Sequence, residues 1–163
     1  MPLQIYLLIM ITTHGEGKKS SKKMDSKVII GDADALIALA FDKDSLHNQA
    51  VSVSEMLFKT NAQVIFPDTA ISEAITALLR KHSNPELSGY IAQQYKDGVF
   101  RVEYISEELM KLAVDLFNPT GSKQNTFFDA IVASTAKYLS AEAIFSFDNW
   151  YKKLGFQLAA DLC

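Results

Sequence analysis

The chain predicts an α/β fold: a sandwich with a mainly parallel sheet covered on both faces by helices. Three observations lead there. Short apolar runs alternate with longer amphipathic stretches through most of the sequence, the pattern of strand–helix–strand crossovers. The first run, Val28-Ile29-Ile30, is apolar at every position rather than at alternate ones, as in a strand buried on both faces. Its 163 residues, 48% hydrophobic and 21% charged, suit a single domain able to bury a real core.

Residues 1–23 read as an extension outside that domain. Leu3 to Ile11 is apolar but too short to span a bilayer, which takes about 20 residues. No basic residue precedes it and no clean cleavage site follows, a poor match to a signal peptide. A polar, lysine-rich linker then leads to Met24. The favoured reading is a disordered extension or an upstream start, with Met24 opening the domain at 24–163. A membrane-surface or partner-binding arm is the alternative.

From Val28 the elements follow in order. Val28–Gly31 is the first strand, and Asp34 to about Phe41 a helix. A second helix, Leu46 to Lys59, carries Leu46, Ala50, Val53, Met56 and Leu57 on one face. His47 and His82 are expected on exposed polar faces. Gln63–Pro67 is the second strand, closed by its proline. A helix from Asp68 to about His82 has Ile71, Ile75, Leu78 and Leu79 as its apolar stripe. Asn84-Pro85 breaks the chain before a helix from about Glu86 to Lys96. Val99–Ile105 is the third strand, and Ser106 caps a helix running to about Asn118. A turn-rich loop over 119–126 delivers Phe127–Ala136, a helix of mostly small residues. Glu142–Phe147 is the fourth strand, 149–154 a short helix, and Phe156–Ala159 a fifth, edge strand.

Charge and cysteine content narrow the function. The lone cysteine, Cys163, excludes a disulfide framework and a cysteine-built zinc site, and makes a cytoplasmic setting the default. Residues 1–23 hold four lysines against Glu16, a balance of +3, so 24–163 carries −6 of the net −3. A body this acidic does not attract polyanions by bulk electrostatics. Handling nucleic acid needs a metal and local basic patches.

Four carboxylates occupy related places. Asp32 and Asp148 end strands, while Glu73 and Asp129 lie near helix N-termini. The purely structural roles open to them are helix-dipole pairing for Glu73 and, in the first motif, capping by Asp34 with backbone bonds to Asp32. Brought together at one sheet edge, the four would repel one another strongly and call for a divalent cation. An all-oxygen set without His or Cys suits Mg²⁺ or Mn²⁺, which can activate water and screen a phosphodiester.

These pieces resemble a known family. Asp32-Ala33-Asp34 running into Leu36-Ile37-Ala38-Leu39, Ser72-Glu73, Phe128-Asp129-Ala130-Ile131-Val132-Ala133 and Ser146-Phe147-Asp148 are together similar to the PIN-domain family of metal-dependent ribonucleases, which includes VapC-type toxins. The resemblance covers roughly residues 27–159. It implies a three-layer α/β/α sandwich with a five-stranded sheet in the order 3-2-1-4-5, strands 1 and 4 meeting at the switch point. Asp32, Glu73, Asp129 and Asp148 would then be the catalytic and metal-holding residues, with Asp34 and Ser146 in support. Ala33 stands where the family usually has Thr or Ser, and Asp34 where Ser or Asn is common.

The implied activity is Mg²⁺- or Mn²⁺-dependent hydrolysis of RNA, with the toxin of a toxin–antitoxin pair among the implied roles. Implied partners are RNA, a second copy of the chain and a small antitoxin, with no membrane. Lys123, Lys152 and Lys153 lie close in sequence to the acids and are the candidate RNA contacts, ahead of Arg80 and Lys81. Trp150 or Tyr151 could stack on an unpaired base. Two other readings stand beside this one. Asp32-x-Asp34 after a strand also resembles the haloacid-dehalogenase-like phosphatases, although the later acidic pair is missing because Asn149-Trp150 follows Asp148. The fold could also serve as a catalytically idle interaction module.

Overall fold

The computed structural model describes residues 26–122 and 124–162. The reading of residues 1–23 as an extension and the placing of Lys123 lie outside them. The described elements, in chain order, are β1 (Val28–Gly31), α1 (Ala33–Ala40), α2 (His47–Lys59), β2 (Gln63–Pro67), α3 (Asp68–Arg80), α4 (Pro85–Lys96), β3 (Val102–Glu103), α5 (Glu107–Leu116), α6 (Phe127–Tyr138), β4 (Ala143–Phe145) and α7 (Trp150–Lys153), with a 3₁₀ turn at Ala159–Leu162.

The sheet is parallel throughout, in the order β3-β2-β1-β4. Ile30 of β1 sits opposite Ile65 of β2 and Ile144 of β4. Alternation along the strands sorts the core into two faces, as side chains on a pleated strand point to opposite sides. Ile29, Val64, Phe66, Ala143 and Phe145 join a core with α1, α2, α3 and α4 residues. Ile30 and Ile144 pack on the other face with Val132, Ala133 and Ala136 of α6 and with Tyr151. The small residues of α6 let it lie close to the sheet, with α5 against its outer side. These are the three layers.

Among the described residues the sheet has four strands where five were expected. Phe156–Ala159 contributes a single bridge, Ile144 to Leu158. Asp161 stops it: its carboxylate accepts the Leu158 N–H at 3.2 Å, and its own N–H donates to the Leu158 carbonyl at 2.9 Å. Both backbone groups of Leu158 are thus drawn into the 3₁₀ turn. β3 is also shorter than expected, two residues out of Val99–Ile105. It pairs with Phe66 and Pro67, and β2 ends there because α3 begins at Asp68, which leaves β3 no strand to pair with beyond Glu103.

His47 is not an exposed histidine. It is 8% exposed, and its Nδ1 lies 2.7 Å from the Ala38 carbonyl oxygen, tying the start of α2 to α1. His82 is half-buried, its ring edge-on to Phe41 at 5.3 Å.

Gly31, the last residue of β1, has a packing role. A Cβ there would stand 2.2 Å from Cε1 of Phe66, whose fully buried ring is held edge-to-face by Phe100 at 5.9 Å. Gly31→Ala is expected to cost about 2 kcal/mol through overpacking, roughly 4–8 °C in melting temperature for a domain of this size. In a double-mutant cycle by thermal melts, Phe66→Leu should absorb part of that loss; strict additivity would contradict the close-contact explanation.

Candidate active site

β1 and β4 lie side by side, and β1 is where the chain's connections switch direction across the sheet. Crevices at such a point, beyond the carboxyl ends of the strands, are where open α/β sheets bind ligands. The Asp32 N–H extends the ladder by one bond, donating to the Phe145 carbonyl at 3.1 Å. Asp32 then caps α1, its Oδ1 accepting the Ala33 N–H at 2.7 Å. Its Oδ2 accepts the Tyr151 hydroxyl at 2.8 Å. Asp32 is 4% exposed and Tyr151 fully buried. Burial, followed by the charges of Asp34 and Asp129, pushes the Asp32 carboxyl well above the usual range against the pull of these two bonds.

Capping therefore falls to Asp32, not Asp34. Asp34 reaches across to the segment after β4, where its Oδ2 accepts the Ser146 hydroxyl at 2.9 Å and the Phe147 N–H at 2.8 Å. Its Oδ1 is buried with no hydrogen-bond partner among the described residues. Burial raises this carboxyl to about 6. The Ser146 oxygen also accepts the Asp148 N–H at 3.1 Å, so one hydroxyl orders two carboxylate-bearing residues.

Asp148 closes a turn of its own. Its Oδ1 accepts the Trp150 N–H at 2.8 Å and its Oδ2 the Asn125 amide at 3.1 Å. Asp129 forms a capping box with Thr126 at the start of α6: it accepts the Thr126 N–H, and the Thr126 hydroxyl at 3.0 Å. Burial still raises its carboxyl, with Asp148 adding to the rise. Glu73, in the second turn of α3 and half-buried, is raised to about 7 by burial and then by the charges of Asp129 and Asp34.

The structure thus brings Asp32, Asp34, Glu73, Asp129 and Asp148 within electrostatic reach of one another. The ion pairs Lys27–Glu142, Lys59–Glu55, Lys111–Glu107 and Lys152–Asp161 all lie elsewhere. Among the described residues no three acidic, histidine or cysteine side chains converge closely enough to enclose a bare ion. The donor set nevertheless fits a hard divalent cation. It is all oxygen, it includes the unpartnered Asp34 Oδ1, and its members raise one another's pKa. Mg²⁺ keeps several of its waters and needs only one or two carboxylates directly.

Of the candidate basic residues, Lys152 pairs with Asp161 at 2.8 Å, whereas Lys153 is exposed and lines a cavity beside Trp150. Arg80 lines a shallower apolar hollow with Glu73 and Phe128. Tyr151 is too buried to stack on a base; it serves Asp32 instead. The sequence reading also missed Asn125 and Thr126. The Thr126-x-x-Asp129 capping pattern could have revealed the second, but no signal marks Asn125.

A family model described as PIN domain matches residues 29–157. With the parallel sheet and the acidic edge already described, this places the chain in the PIN-domain family, to which it belongs. Among solved structures it is similar to VapC20 of Mycobacterium tuberculosis, described as a toxin that cleaves the sarcin–ricin loop. That similarity has a TM-score of 0.65 at 20% identity and covers 78% of this chain and 95% of the other. At that identity it is a likeness of fold. No curated protein matches the sequence significantly.

The raised carboxyls fix the pH dependence of stability. Asp34 rises from 3.8 to about 6 and Glu73 from 4.5 to about 7, so the folded state holds protons the unfolded state has released. Stability then falls as pH rises through this window, and ionising Asp34 alone costs about 3 kcal/mol. In EDTA, the melting temperature should drop between pH 4.5 and pH 7. Asp34→Asn should flatten that drop, and a profile as steep as the parent's would contradict the assignment.

Proposed function

We propose that this chain is a divalent-metal-dependent endoribonuclease in which Asp32, Asp129 and Asp148 hold Mg²⁺ or Mn²⁺, directly or through water, and Glu73 shares the site. The observation that carries the reading is the set of wholly or partly buried, mutually repelling carboxylates at the switch point, while the ion pairs with lysine involve other acids. RNA as substrate draws its support from family membership and from the toxin VapC20, whose fold is similar. Membership also sets aside the haloacid-dehalogenase-like alternative.

When bound, the metal supplies a lowered pKa for water and screening of the phosphate. The chain's own residues do the rest. Tyr151 and the Ala33 N–H fix the Asp32 carboxylate, and Ser146 fixes Asp34 and the backbone of Asp148. Glu73, with part of its side chain in solvent, is the carboxylate we assign to orient the attacking water and take its proton. The Asn125 amide and the Trp150 N–H hold both oxygens of Asp148 in place.

A toxin role, a small antitoxin partner, a homodimer and a cytoplasmic location belong to the same proposal. The described residues contain no helix long and apolar enough to cross a membrane. The apolar residues of α2 and α4 go mostly into the core. Of the exposed large apolar side chains (which also include Phe58 on α2), Tyr104, Met110 and Val114 lie on β3's exit and on α5, the face we assign to a partner.

Purified protein incubated with a mixed RNA pool tests the reaction. Cleavage should require Mn²⁺ or Mg²⁺, stop in EDTA and be abolished by Asp129→Asn. Glu73→Gln should lower kcat by about 10²–10⁴-fold, the range for loss of a general base. Ser146→Ala, one step removed from the metal, should cost about 10–100-fold. Equal cleavage by parent and Asp129→Asn would mean a contaminant and sink the proposal.

A further inference from the structure

Beside the acids lies a cavity of about 160 Å³, the room of roughly five waters and so of one ring system rather than a stacked pair. Three of its wall residues each bond directly to a candidate catalytic acid. Asn125 donates its amide to Asp148 Oδ2, Trp150 donates its backbone N–H to Asp148 Oδ1, and Thr126 donates its hydroxyl to Asp129. Whatever occupies the cavity is therefore one residue away from the reacting centre.

The walls have a specific chemistry. Trp150 is half-buried, and the fully buried Tyr151 ring, 5.4 Å away at 62°, holds its indole in orientation. Lys153 lines the same cavity, while its neighbour Lys152 is turned to Asp161. The Asn118 Oδ1 accepts the Thr120 N–H at 3.1 Å and the Thr120 hydroxyl at 2.9 Å, which leaves Asn118 its amide N–H donors to offer. The Asn125 amide nitrogen is used by Asp148, which leaves that residue its Oδ1 acceptor. An aromatic ring held in place, a cation, and an amide donor and an amide acceptor in one lining are what a single unpaired nucleotide requires: stacking for the base, a charge for the phosphate, and hydrogen bonds for a base edge.

We infer that this cavity is the subsite for the nucleotide flanking the scissile phosphate, its base on Trp150 and its phosphate toward Lys153, and hence that the substrate is RNA unpaired at that nucleotide. The inference rests on the ribonuclease reading for its substrate but has its own readout, because Trp150 is the chain's only tryptophan. In Mg²⁺, a single-stranded hexanucleotide RNA should quench Trp150 fluorescence saturably, and a blunt RNA duplex should not. Lys153→Ala, at an exposed position, should weaken that binding several-fold. In cleavage assays Trp150→Ala should raise KM by about tenfold or more with kcat less affected, the range for losing one stacked base, and Trp150→Phe should restore most of it. Quenching without any cleavage would uphold the subsite and tell against the nuclease. Cleavage by the parent with no quenching, or with KM unmoved by Trp150→Ala and Lys153→Ala, would overturn the subsite and leave the nuclease standing.

Discussion

Asp32, between β1 and α1, and Asp34, in the first turn of α1, are carried inward together, and the cost of that burial shapes everything around them. A buried carboxylate is tolerated only where hydrogen bonds, protonation or a cation compensate for lost water. The described residues supply the first two. Tyr151 serves Asp32 from α7, and Ser146 and the Phe147 N–H serve Asp34 from the far side of β4. The pairings stitch the first strand–helix unit to the last, 112 to 119 residues away in sequence, so the fold closes around the acids rather than merely presenting them. What remains unmet is charge: four carboxyls with raised pKa push on one another.

Much of this was legible in the sequence, and the limits have physical causes. β1 and β2 were placed correctly because continuous apolar runs between turn formers have few other solutions. The four acids could be picked out by position, since a strand's carboxyl end and a helix's first turns are readable from local pattern. β3 was drawn too long because its extent is set by where its partner β2 ends, at Pro67, a pairing property that no local window around β3 shows. Leu158 failed as an edge strand because Asp161, three residues on, captures its backbone. His47 looked polar by neighbourhood, yet a carbonyl on α1 awaited it. Tyr151 was offered as a base-stacking residue because its partner, Asp32, lies 119 residues away.

Electrostatics connects the site to its substrate. A body carrying −6 outside the first 23 residues repels a polyanion at long range, so binding must be built locally. Lys152 gives little help, being neutralised by Asp161. In the proposed subsite, Lys153, Trp150 and the Asn118 and Asn125 amides would supply attraction that is short-ranged and chemically selective. In such a protein, discrimination for a shape or an unpaired base outweighs bulk affinity for phosphate.

The compensation of these acids by a divalent ion is measured most directly by calorimetric titration of the protein with Mn²⁺ at pH 6.5 in two buffers of different ionisation enthalpy. Groups with pKa values of about 6 and about 7 are partly protonated there, and metal binding must displace those protons. The expected result is saturable binding with net proton release that shrinks by pH 8 and is weakened by Asp32→Asn. No binding heat, or binding unaffected by Asp32→Asn and without proton release, would contradict a metal centre at this edge.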